Sequence, residues 1–422
     1  MAQQRPFHVA VCGGGIGGLC LTIGLLRRNI ACTLYEAAPA FAEIGAGVSF
    51  GPNAVRAMEL IDPEIAKGFE KCVTLNGWPE KKETWFDFRI GKTHSEDEKD
   101  SVAVDTYVAN VKSGEWGQTS VHRAHFLDEL VKLIPKNVPK FGKRLNEISM
   151  AGEKVLLKFE DGTKAEADAI IGCDGIKSRT RKILLGEDHF AANAVFSGKY
   201  AYRGLIPMNI VVNALGDELA RNSQIYMGPQ GHVLTFPIEK GKTMNVVAFK
   251  TKLDGKWEDQ KWVLPSTKED VLKDFLGWGG TLLESTDIWA LFDHPPAPTY
   301  YEGRLCLLGD AAHASTPHQG AGAGQAIEDA LILSDLLGQI TSSANIEQAF
   351  RAYDTTRRPR SQLVVTTSRE ASYIYEMEDK DIGADLNKAK KLLETRCRWI
   401  WDENLNLQVM KARDAMATES SL

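Results

Sequence analysis

The sequence predicts an α/β protein with mixed α+β character, made of a parallel-sheet domain, an antiparallel sheet inserted into it and a helical C-terminal tail. Three observations predict this arrangement. The chain opens with a strand, a glycine-rich turn, a helix and a second strand over residues 7–35. Residues 196–249 alternate between apolar and polar positions, and another strand, glycine-rich loop and helix follow at 304–337. A βαβ unit indicates a parallel sheet, and period-two alternation indicates an antiparallel one.

Length, charge and cysteine content exclude several classes of protein. The 422-residue chain is long enough for two or three domains. Its net charge of −6 leaves no basic surplus for phosphates, so no nucleic-acid partner is expected. Seven scattered cysteines without a CxxC pair favour reduced thiols in the cytoplasm over disulfides or a metal site. Residues 9–26 are almost uncharged, but their six glycines make a poor membrane helix, and neither a membrane partner nor a signal peptide is expected.

The first three elements form the opening βαβ unit. Phe7–Cys12 is a short apolar strand, Gly17–Arg28 has helical spacing, and Ala31–Tyr35 is rich in β-formers. The acidic and basic run at 94–100 predicts an exposed loop.

The next segments predict a change from parallel to antiparallel structure. Alternation from 145 to 168 around the turn Asp161-Gly162 predicts a hairpin or meander, and 169–173 is another apolar strand. Four alternating stretches then predict the inserted sheet: YAYRGLIPM, QIYMGPQ, HVLTFPI and MNVVAFK.

The last part of the chain returns to strand and helix. Residues 304–308 predict a parallel strand, 322–337 a helix, and 346–376 a helix interrupted at Pro359. The basic cluster at 357–360 predicts a solvated surface or structural ion pairs. The tail RCRWIWDENL either covers an interface or packs on the core.

The first glycine-rich turn predicts dinucleotide binding in a Rossmann-like domain. Gly13-x-Gly15-x-x-Gly18 lies between a strand and a helix, and Glu36 ends the next strand. The glycines permit a tight turn, close approach to a pyrophosphate and close helix packing, and the helix N-terminus supplies positive potential. Glu36 is placed to accept hydrogen bonds from ribose hydroxyls. The motif alone leaves NAD and FAD both open.

The second glycine-rich loop favours one extended FAD over a second nucleotide. Asp310 follows an apolar strand, where open sheets bind ligands, and suits a ribityl chain. Pro317 bends the chain, and Gly320, Gly322 and Gly324 let main-chain N–H groups face a flavin ring. This spacing differs from GxGxxG, so one FAD that touches both loops is the simpler account.

Three signatures in order resemble the group A flavin aromatic hydroxylases, which share the fold of p-hydroxybenzoate hydroxylase. They are GGGIGG with Glu36, CDGIKSRTR at 173–181 and LLGDAAHASTPHQGAGAGQAIEDA at 307–330. The resemblance implies that Asp174 and Gly175 lie near the FAD pyrophosphate and the face that receives the nicotinamide. From the residues alone, they predict a strand-ending turn, with Arg181 pairing a nearby acid.

Longer stretches, among them EAAPAFAEIGAGVSFGPNAVRA and QTSVHRAHFLDEL, resemble the salicylate hydroxylases of this family. By that resemblance Arg123 contacts the FAD phosphates or ribose; the alternative is an ion pair with Asp128 or Glu129. The residues expected to bind FAD are Gly13, Gly15, Ile16, Gly18, Glu36, Ala37, Arg123, Asp174, Gly175, Gly309, Asp310, Pro317, Gly320, Gly322, Ala323 and Gly324.

The resemblance also implies a domain division and a chemistry. The FAD-binding domain is expected at 1–76, 108–185 and 286–360, the substrate-binding sheet at 77–107 and 186–285, and the helical segment at 361–422. NADH or NADPH would reduce the flavin, and O2 would form an adduct at flavin C4a that hydroxylates a phenolic acid. With salicylate, attack at the carboxylate-bearing carbon would release CO2 and give catechol, without a metal.

Four residues are candidates for substrate binding and catalysis. Arg203 in AYRG is placed to hold a carboxylate or phenolate, or else pairs at a domain interface. His232 and His318 are candidate bases for the phenol, with plain hydrogen-bonded histidines as the alternative. Phe236 stands where several relatives carry tyrosine. Because a phenylalanine ring has no ionisable group, this residue cannot transfer a proton.

Several alternatives stay open on the sequence. A hydroxylase of another aromatic or pyridine acid without decarboxylation shares the same motifs. A non-catalytic flavoprotein shares them too, whereas an NAD-dependent dehydrogenase leaves the second and third signatures without a task. The choice of NADH or NADPH, and of monomer or homodimer, is also open.

Overall fold

The strands follow the apolar segments of the sequence. A computed structural model describes residues 5–41, 47–93, 102–278 and 287–418, and the predicted loop at 94–100 lies outside the described residues. In chain order the strands are β1 (His8–Cys12), β2 (Ala31–Tyr35), β3 (Gly47–Phe50), β4 (Thr84–Ile90), β5 (Tyr107–Lys112), β6 (Thr119–His122), β7 (Pro139–Lys140), β8 (Leu145–Ala151), β9 (Lys154–Phe159), β10 (Lys164–Ala167), β11 (Ala169–Gly172), β12 (Val195–Pro207), β13 (Gln224–Gly228), β14 (Gly231–Ile238), β15 (Thr243–Thr251), β16 (Val263–Pro265), β17 (Asp287–Asp293), β18 (Tyr301–Glu302) and β19 (Leu305–Leu307).

The helices cover the parallel sheet and form the C-terminal part of the chain. Short 3-10 turns include Pro317–Gln319 within the second glycine-rich loop. The α-helices are α1 (Ile16–Arg27), α2 (Pro52–Ile61), α3 (Pro63–Cys72), α4 (Arg123–Val131), α5 (Arg179–Leu185), α6 (Met208–Leu215), α7 (Asp217–Arg221), α8 (Lys268–Asp274), α9 (Asp310–His313), α10 (Gly322–Gln339), α11 (Ile346–Tyr375), α12 (Leu386–Thr395), α13 (Arg398–Trp401) and α14 (Leu405–Thr418).

A six-stranded sheet carries both glycine-rich loops. Its order is β18-β19-β11-β1-β2-β7, and all neighbours are parallel except the edge pair β18 and β19. The predicted βαβ unit is confirmed, with β1 and α1 displaced by one residue from their expected starts. Since β1 and β19 both lie in this sheet and run parallel, the two glycine-rich loops leave it at the same edge.

An eight-stranded sheet forms the second layer. Its order is β16-β17-β12-β15-β14-β13-β4-β5, antiparallel except between β4 and β13, and it contains all four predicted stretches. Strand β17, and β5 beyond its first residue, lie outside the ranges predicted for the sheet domain. The division of the chain into domains stays a prediction. The predicted meander at 145–168 is confirmed as the three strands β8, β9 and β10.

The predicted interruption at Pro359 is wrong. Helix α11 runs for 30 residues with Pro359 inside it. An internal proline costs a helix about 3 kcal/mol, since it removes a hydrogen bond and crowds the preceding turn. Arginines on both sides offset this cost: Arg357 and Arg360 each form an ion pair with Glu328 of α10, at 2.6 and 2.8 Å.

The C-terminal tail packs on the core of the eight-stranded sheet. Ile400 and Trp401 of α13 are buried, and the Trp401 ring lies 5.3 Å from that of Trp85 on β4. Of the two alternatives for this tail, the structure shows core packing. The seven cysteines are unpaired, five of them buried, as expected for reduced thiols.

The first prediction concerns the buried ion pairs of α11. Replacing Arg357 by methionine should lower the free energy of unfolding by about 3–5 kcal/mol, because it leaves buried carboxylates without their cation. Arg357, Glu328 and Asp329 are all fully buried. Urea denaturation of the FAD-loaded protein measures the change.

Arg358→Met is the matched control. Arg358 is the next residue, partly exposed, and pairs with Asp354 within the same helix. Its loss should cost about 1 kcal/mol or less. Equal losses for the two variants would contradict the role given to the buried cluster.

Candidate active site

The first glycine-rich turn has the geometry that close ligand approach requires. Gly13 has φ +112°, and a Cβ there would lie 2.2 Å from the Cys173 carbonyl oxygen. A Cβ at Gly18 would lie 2.0 Å from the Gly13 oxygen, so this glycine allows α1 to pack against the turn. At Gly15, by contrast, a Cβ would meet no atom within 4 Å. The open space at Gly15 lets a ligand approach the backbone at the start of α1.

Glu36 is anchored next to this turn. Its carboxylate accepts hydrogen bonds from the backbone N–H groups of Gly14 and Ala38, both at 2.7 Å. A carboxylate has about four acceptor positions, so capacity for ribose hydroxyls is left. The anchor fixes the direction of the side chain before a ligand binds.

The segment after β11 braces both loops. The Asp174 carboxylate accepts four hydrogen bonds from Ser178, Arg179 and Thr180, at 2.6–2.9 Å. Gly175 has φ +76°, and the space around its Cβ position is open. Asp174 thus stabilises a turn, and Gly175 faces open space.

Arg181 supports the second loop through carbonyl groups. Its guanidinium donates to the carbonyl oxygens of Ala191, Pro295, Ala311 and Ala312. The acid partner expected from the residues alone is wrong, since these hydrogen bonds satisfy the guanidinium. Burial lowers the pKa of Arg181 to about 10.

The second glycine-rich loop is held by Asp329 of α10. One oxygen of its carboxylate accepts from the Gly309 N–H at 3.0 Å and contacts His313 Nε2 at 2.5 Å. The other accepts from Arg357 Nε at 2.7 Å. Burial alone would raise the pKa of Asp329, but His313 and Arg357 outweigh it and hold this pKa well below its usual value. The adjacent Asp310 keeps an exposed side chain.

One cavity of about 660 Å³ joins the two loops to the eight-stranded sheet. Such a volume is typical of cofactor and substrate sites. The predicted residues that line it are Gly15, Ile16, Gly18, Arg123, Gly175, Arg203, Phe236, Gly309, Asp310, Pro317, His318, Gly320, Gly322 and Ala323.

Six predicted residues lie outside the cavity lining: Gly13, Glu36, Ala37, Asp174, His232 and Gly324. Gly13, Glu36 and Asp174 shape the turns described above. Gly324 lies toward α2, where a Cβ would come within 3.1 Å of Ala54. His232 is fully buried behind His318.

The lining is positive at the end formed by the eight-stranded sheet. Arg203 of β12 and Arg123 of α4 both face the cavity, and the Arg203 guanidinium lies 5.2 Å from the Trp289 ring. Burial, and then the nearby Arg123, lower the pKa of Arg203. Glu129, one of the two acids considered for Arg123, contacts Lys71 and Lys132.

Apolar side chains that the sequence did not single out form the wall of this end. Leu234 on β14 and Val247 and Phe249 on β15 share one face of the sheet with Phe236. Trp85 and Trp289 complete the wall. Period-two alternation places these residues on a common face. Which face points to the cavity depends on how the two sheets pack.

The two candidate histidines contact each other. His318 Nδ1 lies 3.3 Å from His232 Nε2, and His232 Nδ1 lies 3.1 Å from an oxygen of Glu376. His318 Nε2 is buried and has no hydrogen-bond partner among the described residues. Burial, with His232, Lys199 and Arg396, holds the pKa of His318 well below its usual value, so its ring is neutral near pH 7.

The residues present fit an FAD. Helices α1 and α10 both begin at the cavity, so two N-termini supply positive potential to a pyrophosphate and a reduced flavin ring. Open backbone at Gly15 and Gly175 allows close approach, and the Asp310 carboxylate offers hydrogen-bond acceptors in the same cavity.

Every helix among the described residues is too short or too polar to span a bilayer. The same residues contain no group of three or more His, Cys, Asp or Glu side chains arranged to hold a metal ion.

Comparisons with known proteins agree with the geometry. Residues 139–368 match a family model described as an FAD binding domain. The chain is 46% identical over 420 residues to a 6-methylsalicylate 1-monooxygenase of Aspergillus terreus. This alignment covers 97% of this chain and 92% of that protein. It is 40% identical over 438 residues to a salicylate hydroxylase of Pseudomonas putida, covering 99% and 97%.

Solved structures give the same result. A salicylate hydroxylase substrate complex superposes with a TM-score of 0.85 at 37% identity, covering 97% of this chain and 98% of that one. Extended similarity of both sequence and fold therefore accompanies the two glycine-rich loops and their shared cavity. The chain belongs to the FAD-dependent aromatic monooxygenases, the flavoprotein family that includes salicylate hydroxylase.

Proposed function

We propose that this enzyme hydroxylates a phenolic aromatic acid, with salicylate converted to catechol and CO2 as the reaction that best fits the site. The observation that carries the proposal is the cavity that continues from both glycine-rich loops to an apolar wall bearing Arg203 and His318. A cation for a carboxylate and a neutral imidazole for a phenol match the two functional groups of salicylate.

A methyl-substituted salicylate is the second candidate substrate. The relative that is 46% identical to this chain is named as a 6-methylsalicylate 1-monooxygenase, and another relative as a salicylate hydroxylase. Both names support a substrate with adjacent carboxylate and phenol groups. Related acids without decarboxylation remain the alternative outcome of the test below.

In this proposal the two loops hold FAD at its two ends. Gly15, Gly18 and the start of α1 face the pyrophosphate, Glu36 takes ribose hydroxyls, and Asp310 takes the ribityl chain. The N–H groups at the start of α10 face the flavin ring. When bound, FAD supplies electron transfer from a nicotinamide and the activation of O2.

The protein's own residues then orient the substrate and move a proton. Arg203, with Arg123 close by, attracts the carboxylate in a setting where burial strengthens the interaction. His318 Nε2 accepts the phenol proton, and the resulting phenolate makes the ring electron-rich. Phe236 contributes an apolar surface and no proton.

The apolar wall keeps water from the reacting centre. Trp85, Phe249 and Trp289 surround the substrate end. Because they exclude water there, the activated oxygen is not lost as hydrogen peroxide. The reaction balances as follows: salicylate, NADH or NADPH, O2 and two protons give catechol, CO2, water and the oxidised nicotinamide. Loss of CO2 restores aromaticity after oxygen enters at the carboxylate-bearing carbon.

The test measures all the products in one experiment. FAD-loaded enzyme is given salicylate or 6-methylsalicylate with NADH or NADPH, and reductant consumed, O2, phenolic product and CO2 are quantified. Catechol and CO2 in equal amounts support the proposal with salicylate. Benzoate, which has the carboxylate but no phenol, is the control and should give no product.

Two other results would redirect the proposal. A dihydroxybenzoate product without CO2 would establish hydroxylation without decarboxylation. Failure of every phenolic acid to stimulate oxidation of reductant by the FAD-loaded enzyme would contradict the proposed function.

Replacing Asp310 by alanine should weaken FAD binding by at least about tenfold, because hydrogen bonds to a charged group contribute about 1.5–3 kcal/mol. The ratio of flavin to protein absorbance after gel filtration measures retention. Asp188→Ala, at an exposed aspartate outside the cavity lining, is the control and should keep its flavin. An Asp310→Ala protein that stays as yellow as this control would contradict the role of Asp310.

Replacing Arg203 by alanine should raise the Kd for salicylate by about 10- to 100-fold, since a charge-assisted contact to the carboxylate is lost. Flavin fluorescence quenching on substrate addition gives the Kd. Arg203→Lys keeps the charge without the planar fork and should recover part of the affinity. Unchanged affinity in Arg203→Ala, with flavin still bound, would rule out the assignment.

A further inference from the structure

A chain of four buried polar side chains leads away from the substrate end of the cavity. His318 lies in the turn after Pro317, His232 on β14, Glu376 at the end of α11, and Lys199 on β12. They are 4%, 0%, 0% and 3% exposed, respectively. Four elements therefore converge on one polar path within an apolar core, where unpaired polar groups are costly.

The hydrogen bonds of this path have one consistent direction. Glu376 accepts from Lys199 and from the Thr251 hydroxyl on one oxygen, and its other oxygen lies 3.1 Å from His232 Nδ1. A carboxylate only accepts, so His232 carries its proton on Nδ1 and has a bare Nε2. That Nε2 lies 3.3 Å from His318 Nδ1, which must donate.

The direction ends at an acceptor that faces the substrate. With its proton on Nδ1, His318 presents a lone pair at Nε2, the buried atom that has no partner among the described residues. His318 also lines the cavity, whereas His232 does not. A carboxylate two hydrogen bonds away thus sets the state of the atom that meets the phenol.

The charges around the path keep Glu376 ionised. Burial alone would raise the pKa of Glu376, but His232 and Lys199 outweigh it and the net shift is downward. Glu378, 3.9 Å from the Lys199 ammonium, is partly exposed and carries the next negative charge. The charged groups that face the path from other elements are Lys250 and Arg396, and the Tyr375 ring packs on His232.

We propose that Glu376 is a positioning residue that fixes both histidine tautomers and stabilises, through His232, the charge that His318 carries when it accepts the phenol proton. This inference rests on the proposed function. The phenol O–H bond breaks and an N–H bond forms at His318 Nε2, while the Nδ1 protons of His318 and His232 stay on their nitrogens and point toward the ionised Glu376. The phenolate and the His318 imidazolium form together, and His318 returns the proton when the phenol product forms.

The path explains how a site without an acidic or tyrosine side chain at Phe236 ionises its substrate. The positive charge on His318 is transient, and the ionised Glu376 balances it through His232. Lys199 stays paired with the carboxylate throughout. Stabilisation of this kind requires each donor to lie within hydrogen-bond reach of its acceptor, which the distances satisfy.

The test replaces Glu376 by glutamine and reads the ionisation of a bound phenol directly. A nitro-substituted salicylate, whose phenolate absorbs in the visible range, is titrated over pH in FAD-loaded wild type and variant. The apparent pKa of the bound phenol should rise by about one unit or more in Glu376→Gln, because the His318 imidazolium that receives the proton loses the carboxylate that stabilises it. The flavin-to-protein ratio should be unchanged, and near pH 7 product formed per reductant consumed should fall about tenfold.

Four further variants separate this role from a structural one. Glu378→Gln removes a carboxylate near Lys199 that does not contact His232, and it should behave as wild type. Because Glu376→Gln leaves Lys199 as an unpaired buried cation, the Lys199→Met/Glu376→Gln double variant removes both charges and keeps the test valid if the single variant is unstable. His318→Ala should lower coupling, and adding Glu376→Gln to it should cause little further loss, as expected for residues on one path.

The outcomes distinguish the positioning role of Glu376 from the proposed function. If wild type forms product while both Glu376 variants keep wild-type coupling and the same apparent phenol pKa, the positioning role is overturned and the proposed function stands. Additive losses in the His318 and Glu376 double variant would overturn it as well. If wild type binds the probe yet forms no product with any phenolic acid, the proposed function fails independently.

Discussion

The carboxylate of Asp329 is the constraint on which the redox end of the site depends. It binds the Gly309 backbone and His313 with one oxygen and Arg357 with the other, so the second glycine-rich loop is tied directly to α11. All of these side chains are buried, where an uncompensated charge would cost several kcal/mol. The loop therefore keeps its course only while the ion pairs remain complete.

The same cluster links the cofactor site to the C-terminal part of the chain. Arg360, one turn on from Arg357, binds Glu328 and the carbonyl oxygens of Trp399 and Ile400. From the other side, Arg181 binds the carbonyls of Ala311 and Ala312. Helices on both sides thus hold the loop by directional bonds, which suits the proposed role of its N–H groups as fixed donors.

Much of the fold was predictable because it depends on local patterns. The βαβ unit follows from a short apolar strand and the glycines that a tight turn requires, such as Gly13 with its φ of +112°. The antiparallel sheet follows from period-two alternation in β12 to β15. The prediction that α11 is interrupted at Pro359 was wrong. Local propensity includes the cost of a proline but not the tertiary ion pairs of Arg357 and Arg360, which offset that cost.

The candidate site was predictable only in part, for a related reason. Motif spacing singled out Asp310 and His318, and both line the cavity. Glu376 and Lys199 escaped notice, because a glutamate at a helix end and a lysine on a strand look like ordinary surface residues until the fold buries them together. Asp329 lies in the third signature together with its partners Gly309 and His313, but its cation, Arg357, is 28 positions away on another helix.

Two carboxylates in this protein make the same local pattern and serve different ends. Asp329 and Glu376 each contact a histidine with one oxygen and a cation with the other. The histidine of the first pair, His313, lies outside the lining of the main cavity, so this pair stabilises a loop. The histidine of the second pair, His232, passes its polarity to His318 and so to the cavity wall. What decides between structure and chemistry is where the outermost histidine points, and that depends on the packing of the two sheets.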